Sequence, residues 1–159
     1  MPAIVMMVVV ALAAPQADVK MKTVDTGLGF SLAVPEAWAK GQPSRNNKFV
    51  MGSLEDDFAV VVADFGPAQS DAGAAAAIYR ESFVRHGLTP TTESDVVIAG
   101  RTTKRYVFRL ETPDGVGHAE AVLVTVRDEV YAVMVVTPAM LVDARRDVIA
   151  RILDSIAMG

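Results

Sequence analysis

Hydrophobic and polar positions alternate in short blocks along this chain, and most of the blocks carry strand signals. Phe30 to Val34 (FSLAV) alternates weakly, follows Gly27 and Gly29 and stops at Pro35, which predicts a turn feeding a strand. A polar loop from Lys40 to Lys48 separates it from a second predicted strand, Phe49 to Leu54. After the Asp56-Asp57 turn, Phe58 to Phe65 (FAVVVADF) is nearly all apolar, the pattern of a strand buried on both faces. Gly66-Pro67 breaks it, and Ser70 or Asp71 is placed to cap a helix from Ala72 to His86. In that helix Ala72, Ala76, Tyr79 and Phe83 form one stripe, Arg80, Glu81 and Arg85 lie off it, and Gly87 ends it.

The second half reads as four more strands and a helix. Asp95 to Ile98 is short. Arg101 to Leu110 puts Tyr106, Phe108 and Leu110 on one face and Arg105 and Arg109 on the other. Thr112-Pro113-Asp114-Gly115 is a turn signal. Ala119 to Val126 and Val130 to Thr137 predict an antiparallel hairpin around Arg127-Asp128-Glu129. Thr137 is expected to cap a helix from Leu141 to Ala157, with Pro138 at its first position. Its buried face would carry Leu141, Val148, Ile152 and Ile156, helped by Ala144 and Ile149; its wet face would carry Arg145, Arg146, Asp147, Arg151 and Asp154. The predicted order is β-β-β-α-β-β-β-β-α. An α+β fold, a mostly antiparallel sheet with two packed helices, satisfies both helix stripes and the apolar strands. No repeat or linker interrupts residues 18–159, so one domain is expected there.

The first seventeen residues break this rhythm. Met1 to Ala17 carries no charged side chain, and Ile4 to Ala14 (IVMMVVVALAA) is an unbroken apolar run. At about 1.5 Å per residue it spans roughly 16 Å, half of a hydrocarbon core of about 30 Å, so a permanent membrane span is not expected. Its length suits a signal-peptide core, and Ala14 to Ala17 offers small residues for cleavage. Export, periplasmic or secreted, is the expectation. No Lys or Arg precedes the run, and the competing reading is a buried first strand.

Composition changes the picture only by exclusion. With 52% hydrophobic and 21% charged residues the chain is that of a folded domain. A net charge of −4 argues against nucleic-acid binding. The absence of cysteine removes disulfides, thiolate metal sites and thiol nucleophiles, and His86 and His118 are too few for a histidine-rich metal site. No cofactor or metal is expected.

The glycine-led strand ending in proline and soon tryptophan (Gly29-Phe30-Ser31-Leu32-Ala33-Val34-Pro35-Glu36-Ala37-Trp38), the mid-chain helix, the strand Arg105-Tyr106-Val107-Phe108, and a final hairpin leading to a helix that ends Ile152-Leu153-Asp154-Ser155-Ile156 occur together. In this the chain resembles the PsbP-like superfamily of small α/β/α sandwich domains, which includes DcrB-type proteins. The resemblance covers Met21 to Ala157. It implies a mostly non-enzymatic family: a photosystem II accessory protein, Ran-binding proteins, periplasmic or lipoprotein members, and chaperones that shield transmembrane helices. This chain departs from the lipoprotein members in having no cysteine to acylate.

Few residues point to chemistry. Gly27-Leu28-Gly29 starts like a dinucleotide loop, but Leu32 stands at the third glycine position and no helix follows. Neither a GxSxG elbow nor a phosphate loop occurs. Glu55-Asp56-Asp57 lacks the spacing of a calcium loop. His118 and Glu120 share a strand face and form a candidate acid/base pair. Arg101, Arg105 and Arg109 share another strand face and are candidates to receive an anion or an acidic surface, or to pair with Glu120, Asp64 or Glu111. Trp38, beside the polar loop, would either plug the core or rim a ligand groove with Asn46 and Asn47. The leading expectation is a non-catalytic exported binding or accessory protein whose partner is another protein or a small ligand. A cytoplasmic chaperone with an apolar groove on its sheet and a small hydrolase built on His118 and Glu120 are the alternatives.

Overall fold

A computed structural model describes residues 19–55, 57–69 and 71–159. The predicted leader, residues 1–17, and the Ser70 cap lie outside the described residues. Ten strands and two α-helices are present among them: β1 (Met21–Asp25), β2 (Phe30–Pro35), β3 (Ala39–Lys40), β4 (Asn47–Gly52), β5 (Ala59–Pro67), α1 (Ala72–Arg85), β6 (Pro90–Ile98), β7 (Arg101–Thr112), β8 (Gly115–Val126), β9 (Glu129–Pro138), α2 (Val142–Asp154) and β10 (Ala157–Met158). The fold is α+β, with every strand pair antiparallel, as expected from the sequence.

The centre is a seven-stranded sheet in the order β3-β4-β5-β9-β8-β7-β6; a smaller sheet has the order β1-β2-β10. On one face of the large sheet, Val60, Val62, Val122, Val124, Val133 and Val135 pack against the small sheet and α2. Alternation explains the contribution of β2: Phe30, Leu32 and Val34 point inward and are fully buried, while Ser31 and Ala33 point away. On the other face, Tyr79 and Phe83 of α1 cover Tyr106, Phe108, Ala119, Ala121 and Ala132. Phe83 sits 4.8 Å, centroid to centroid, from each of Phe65, Tyr106 and Phe108. The small residues at 119, 121 and 132 leave room for these rings. Cover on both faces is why β5 reads as a continuous apolar run.

Turns follow their backbone demands. Ala99 and Gly100, both with positive φ, join β6 to β7 in two residues. Gly29 lies at φ 99°, and a Cβ there would fall 2.6 Å from Val126 Cγ1, where the two sheets approach.

Several expectations are corrected. β1, β3 and β10 were not predicted: two of them have two residues each, and β1 (MKTVD) alternates too weakly to register. β6 starts at Pro90 rather than Asp95, because its half-solvated residues (PTTESDVVI) show no apolar period at their start. Thr137 does not cap a helix. It is the ninth residue of β9, a 3₁₀ turn (Ala139–Leu141) follows, and neither that turn nor α2 has a side-chain cap. α2 ends at Asp154, short of Ala157: Ser155 Oγ donates to the Ile152 carbonyl (2.6 Å) and accepts from the Ala33 N–H (2.7 Å), turning the chain onto β2. Its buried residues are Val148, Ile149, Ile152 and Leu153, with Leu141 and Ile156 outside the helix.

The Tyr106 hydroxyl is the one buried side-chain polar atom among the described residues without a hydrogen-bond partner. Burial pushes its pKa up to about 12, and Glu93 nearby acts in the same direction without an acceptable hydrogen bond. An orphan hydroxyl contributes nothing that phenylalanine loses. Tyr106→Phe should leave the unfolding free energy within about 0.5 kcal/mol of wild type or raise it. Urea unfolding checks this, and a loss of more than about 1 kcal/mol would reveal a partner for the hydroxyl.

Candidate functional site

The face of the large sheet that carries α2 is apolar over β5 and β9 and turns polar toward β8 and β7. Register sets the arrangement. Thr137 of β9 opposes His118 of β8, which opposes Arg109 of β7. In the next row Val135, Glu120 and Val107 align, and in the one after it Val133, Val122 and Arg105. Four polar side chains of β7 and β8, Arg105, Arg109, His118 and Glu120, therefore face the same side as the core valines, with Thr137 beside His118 on β9.

Glu120 is 3% exposed and cannot stay ionised there without partners. It has two. His118 Nε2 lies 2.8 Å from Oε2, and Arg105 Nη2 donates to Oε1. An ionised carboxylate only accepts, so His118 carries its proton on Nε2. Burial pushes the Glu120 pKa up, but the hydrogen bonds from His118 and Arg105 and the charge of Arg105 outweigh it, and the result lies below the usual carboxylate range.

A second pair continues the polar row into α2. Arg145 Nη1 donates to Thr137 Oγ1 and to the Asp57 carbonyl, both at 3.0 Å, and Nη2 donates to Asp57 Oδ2 at 3.1 Å. Its guanidinium carbon stands 4.6 Å from the centre of the Phe58 ring. Arg145 was expected on the wet face of its helix. It is half-buried instead, because it ties the start of α2 to β9 and to the β4–β5 turn. Its position, three, four and seven residues before Val148, Ile149 and Ile152, puts it on the buried face of the helix, so the wet-face expectation followed its charge and not its spacing; the sequence carries no sign of the acid at position 57.

The arginine column is real. β7 pairs β6 without a register shift from Arg101 to Val107 and pairs β8 without one from Arg105 to Thr112, so Arg101, Arg105 and Arg109 stand on one face, about 26 Å from first to last. That face is open where α2 ends: Thr92 and Ser94 beside it on β6 are exposed. Arg105 is held by Glu120; Arg109 approaches Glu111 at 3.5 Å, and both are exposed. Arg101 has no acidic partner among the described residues. Lys104, on the opposite face, pairs with Asp95 at 2.7 Å.

Other expected site residues do not join this cluster. Trp38 is 5% exposed, with its ring edge-on to Phe58 at 4.8 Å, so it plugs the core and rims nothing. Ala39 beside it pairs with Gly52, five residues along β4 from Asn47 and about 17 Å away, so Trp38 does not share a groove with Asn46 and Asn47. Asn47 instead closes its own loop, its N–H bonded to Ser44 Oγ at 3.1 Å. His118 and Glu120 meet as the spacing implied, yet no hydroxyl hydrogen-bonds to His118 among the described residues, and Glu120 is committed to Arg105. The arrangement is that of an ion cluster anchoring an arginine, without an activated nucleophile. No group of three metal-ligating side chains occurs among the described residues, and no helix there is long and apolar enough to cross a membrane.

The three-layer geometry has known counterparts. The solution structure of cyanobacterial PsbP (CyanoP) from Synechocystis sp. PCC 6803 superposes with a TM-score of 0.69 at 13% identity, over 89% of this chain and 94% of that one. The chain has the PsbP-like fold. LpqN, involved in cell envelope biogenesis of Mycobacterium tuberculosis, matches at a TM-score of 0.59 and 11% identity over 88% of this chain and 91% of its own. The Saccharomyces cerevisiae Ran-binding protein Mog1p matches at 0.58 and 10% over 89% and 96%. The superpositions show a shared PsbP-like fold, and at these identities nothing about shared sites. No family model matches the sequence, and neither does any curated protein.

Removing the Glu120 charge should cost about 2–4 kcal/mol at neutral pH, because Arg105 loses its partner in a half-buried site. The folded pKa is depressed, so this stabilisation is full above the unfolded carboxylate value of about 4.3 and vanishes as pH falls through the lower folded value. Chemical unfolding of wild type and Glu120→Gln at a series of pH values should show the gap closing below about pH 4. A gap that does not change with pH would mean that the carboxylate charge is not what holds the cluster.

Proposed function

We infer that this protein is a non-catalytic binding or accessory module that works outside the cytoplasm and engages an acidic partner surface through the open face of β7. The observation that carries the reading is the arginine column. Three guanidinium groups stand on one strand face over about 26 Å, the central one braced by Glu120 and the outer two exposed. A braced arginine loses little freedom on binding, and a row of them presents matched forks to carboxylates. The apolar run Ile4 to Ala14 supports export.

The chaperone reading draws on less. α1 covers one face of the sheet, and the small sheet and α2 cover most of the other, so the apolar opening is a short cleft at one end of the large sheet. The hydrolase reading draws on the His118–Glu120 contact alone.

Two measurements test the proposal. The chain recovered from its own cells should come from an extracytoplasmic fraction with a mass that starts between residues 15 and 18; a full-length cytoplasmic chain would remove export. A fluorescein-labelled oligoglutamate peptide should bind the wild-type protein in a salt-sensitive way, and Arg101→Glu with Arg109→Glu should weaken it by about 10-fold with the fold intact by circular dichroism. Equal binding by the double variant would take the arginine column out of the function.

A further inference from the structure

Three connections meet at one end of the large sheet. Ala59 pairs with Val136, Gly117 with Pro138, and Thr112 with Gly115. The β4–β5 turn, the β7–β8 turn and the chain entering α2 therefore project past the same edge. Between them lies a cleft of about 410 Å³, in the range of ligand clefts, roughly 300–1,000 Å³. Ala59, Leu110, Val116, Val136 and Pro138 give it an apolar lining. Two turns at this end also hold Leu54, 79% exposed, and Met140, 88% exposed, the highest values for large hydrophobic residues among the described residues. A single exposed leucine is ordinary; two such residues in turns at the same end of the sheet as an apolar cleft add apolar surface that water solvates poorly.

The unpaired charge at this cleft is negative, since the guanidinium beside it, Arg145, is committed to Asp57. The ionisable residues lining the cleft are Asp57 and Asp114, and no lysine or arginine lines it. Asp57 is taken by Arg145. Asp114, at the tip of the β7–β8 turn, is exposed and has no basic partner among the described residues, and the same holds for Glu55 next to Leu54. An occupant that buries the apolar lining leaves these carboxylates to be matched from its own side, which calls for cations.

We propose that this cleft docks a basic, apolar segment of another protein. Apolar side chains of the segment occupy the space lined by Leu110, Val116 and Val136, flanked by Leu54 and Met140, and its lysine or arginine side chains meet Asp114 and Glu55. The surface has the opposite charge from the arginine column and different residues, so it stands whether or not that column binds an acid. A module carrying both would bring an acidic partner and a basic one together.

The test uses the whole protein, isotopically labelled, titrated with an amphipathic peptide of leucine and lysine and with its leucine–glutamate counterpart. Amide shifts on adding the leucine–lysine peptide should concentrate in residues 53–59, 110–117 and 136–141, and the leucine–glutamate peptide should bind at least about 10-fold more weakly. Leu54→Gln with Met140→Gln should weaken the leucine–lysine peptide by about 10-fold, since each apolar side chain contributes through burial. Asp114→Asn should weaken it by about 2- to 5-fold and reduce its salt dependence. All three changes fall on exposed side chains, so folding is expected to survive, and circular dichroism verifies it. Shifts confined to another face, equal affinity for the two peptides, no binding of the leucine–lysine peptide, or a double variant that binds as wild type would each overturn the proposal.

Discussion

A sheet covered on both faces has no solvated side on which to place a polar residue, and most of this molecule follows from that constraint. Strands β5, β9 and β8 carry valine and alanine because one face meets the small sheet and α2 and the other meets α1. The cover is uneven. It is complete over the central strands and runs out toward β7 and β6, where threonine, serine and arginine take over. The functional candidates lie along that boundary, where a side chain is buried enough to be held in place and open enough to touch a partner.

Glu120 shows how the boundary is managed. A carboxylate on a covered face is costly unless it is satisfied, and His118 and Arg105 satisfy it from the same strand and the neighbouring one. In return Glu120 fixes Arg105, the middle member of the arginine column. Arg145 and Asp57 repeat the device at the start of α2, tying a helix, a strand and a turn together, with Phe58 beneath the guanidinium. Both clusters stand where apolar cover ends, so their polar groups are partly or, at Glu120, almost wholly shielded from water and gain from their partners.

The comparisons fit this division of labour. PsbP, LpqN and Mog1p share the layered scaffold with this chain at 10–13% identity, which shows how little sequence the scaffold requires. The arginine column and the exposed carboxylate at the cleft between the turns are built from this chain's own residues on that scaffold.

Sequence periodicity alone determined the strands that bury a face. Phe30, Leu32 and Val34 alternate, FAVVVADF runs continuously, and Tyr106 and Phe108 take the side opposite Arg105, because a period of two maps directly onto the two faces of a strand. The closeness of His118 and Glu120 was legible for the same reason. Only the tertiary structure decided which acid Arg105 meets, that Arg145 turns inward to Asp57 across 88 residues, and that β1 and β10 flank β2. Those outcomes depend on strand order and on contacts distant along the chain. A half-exposed polar residue leaves no periodic mark in the sequence, since its side chain is satisfied by whichever partner the packing brings within about 3 Å.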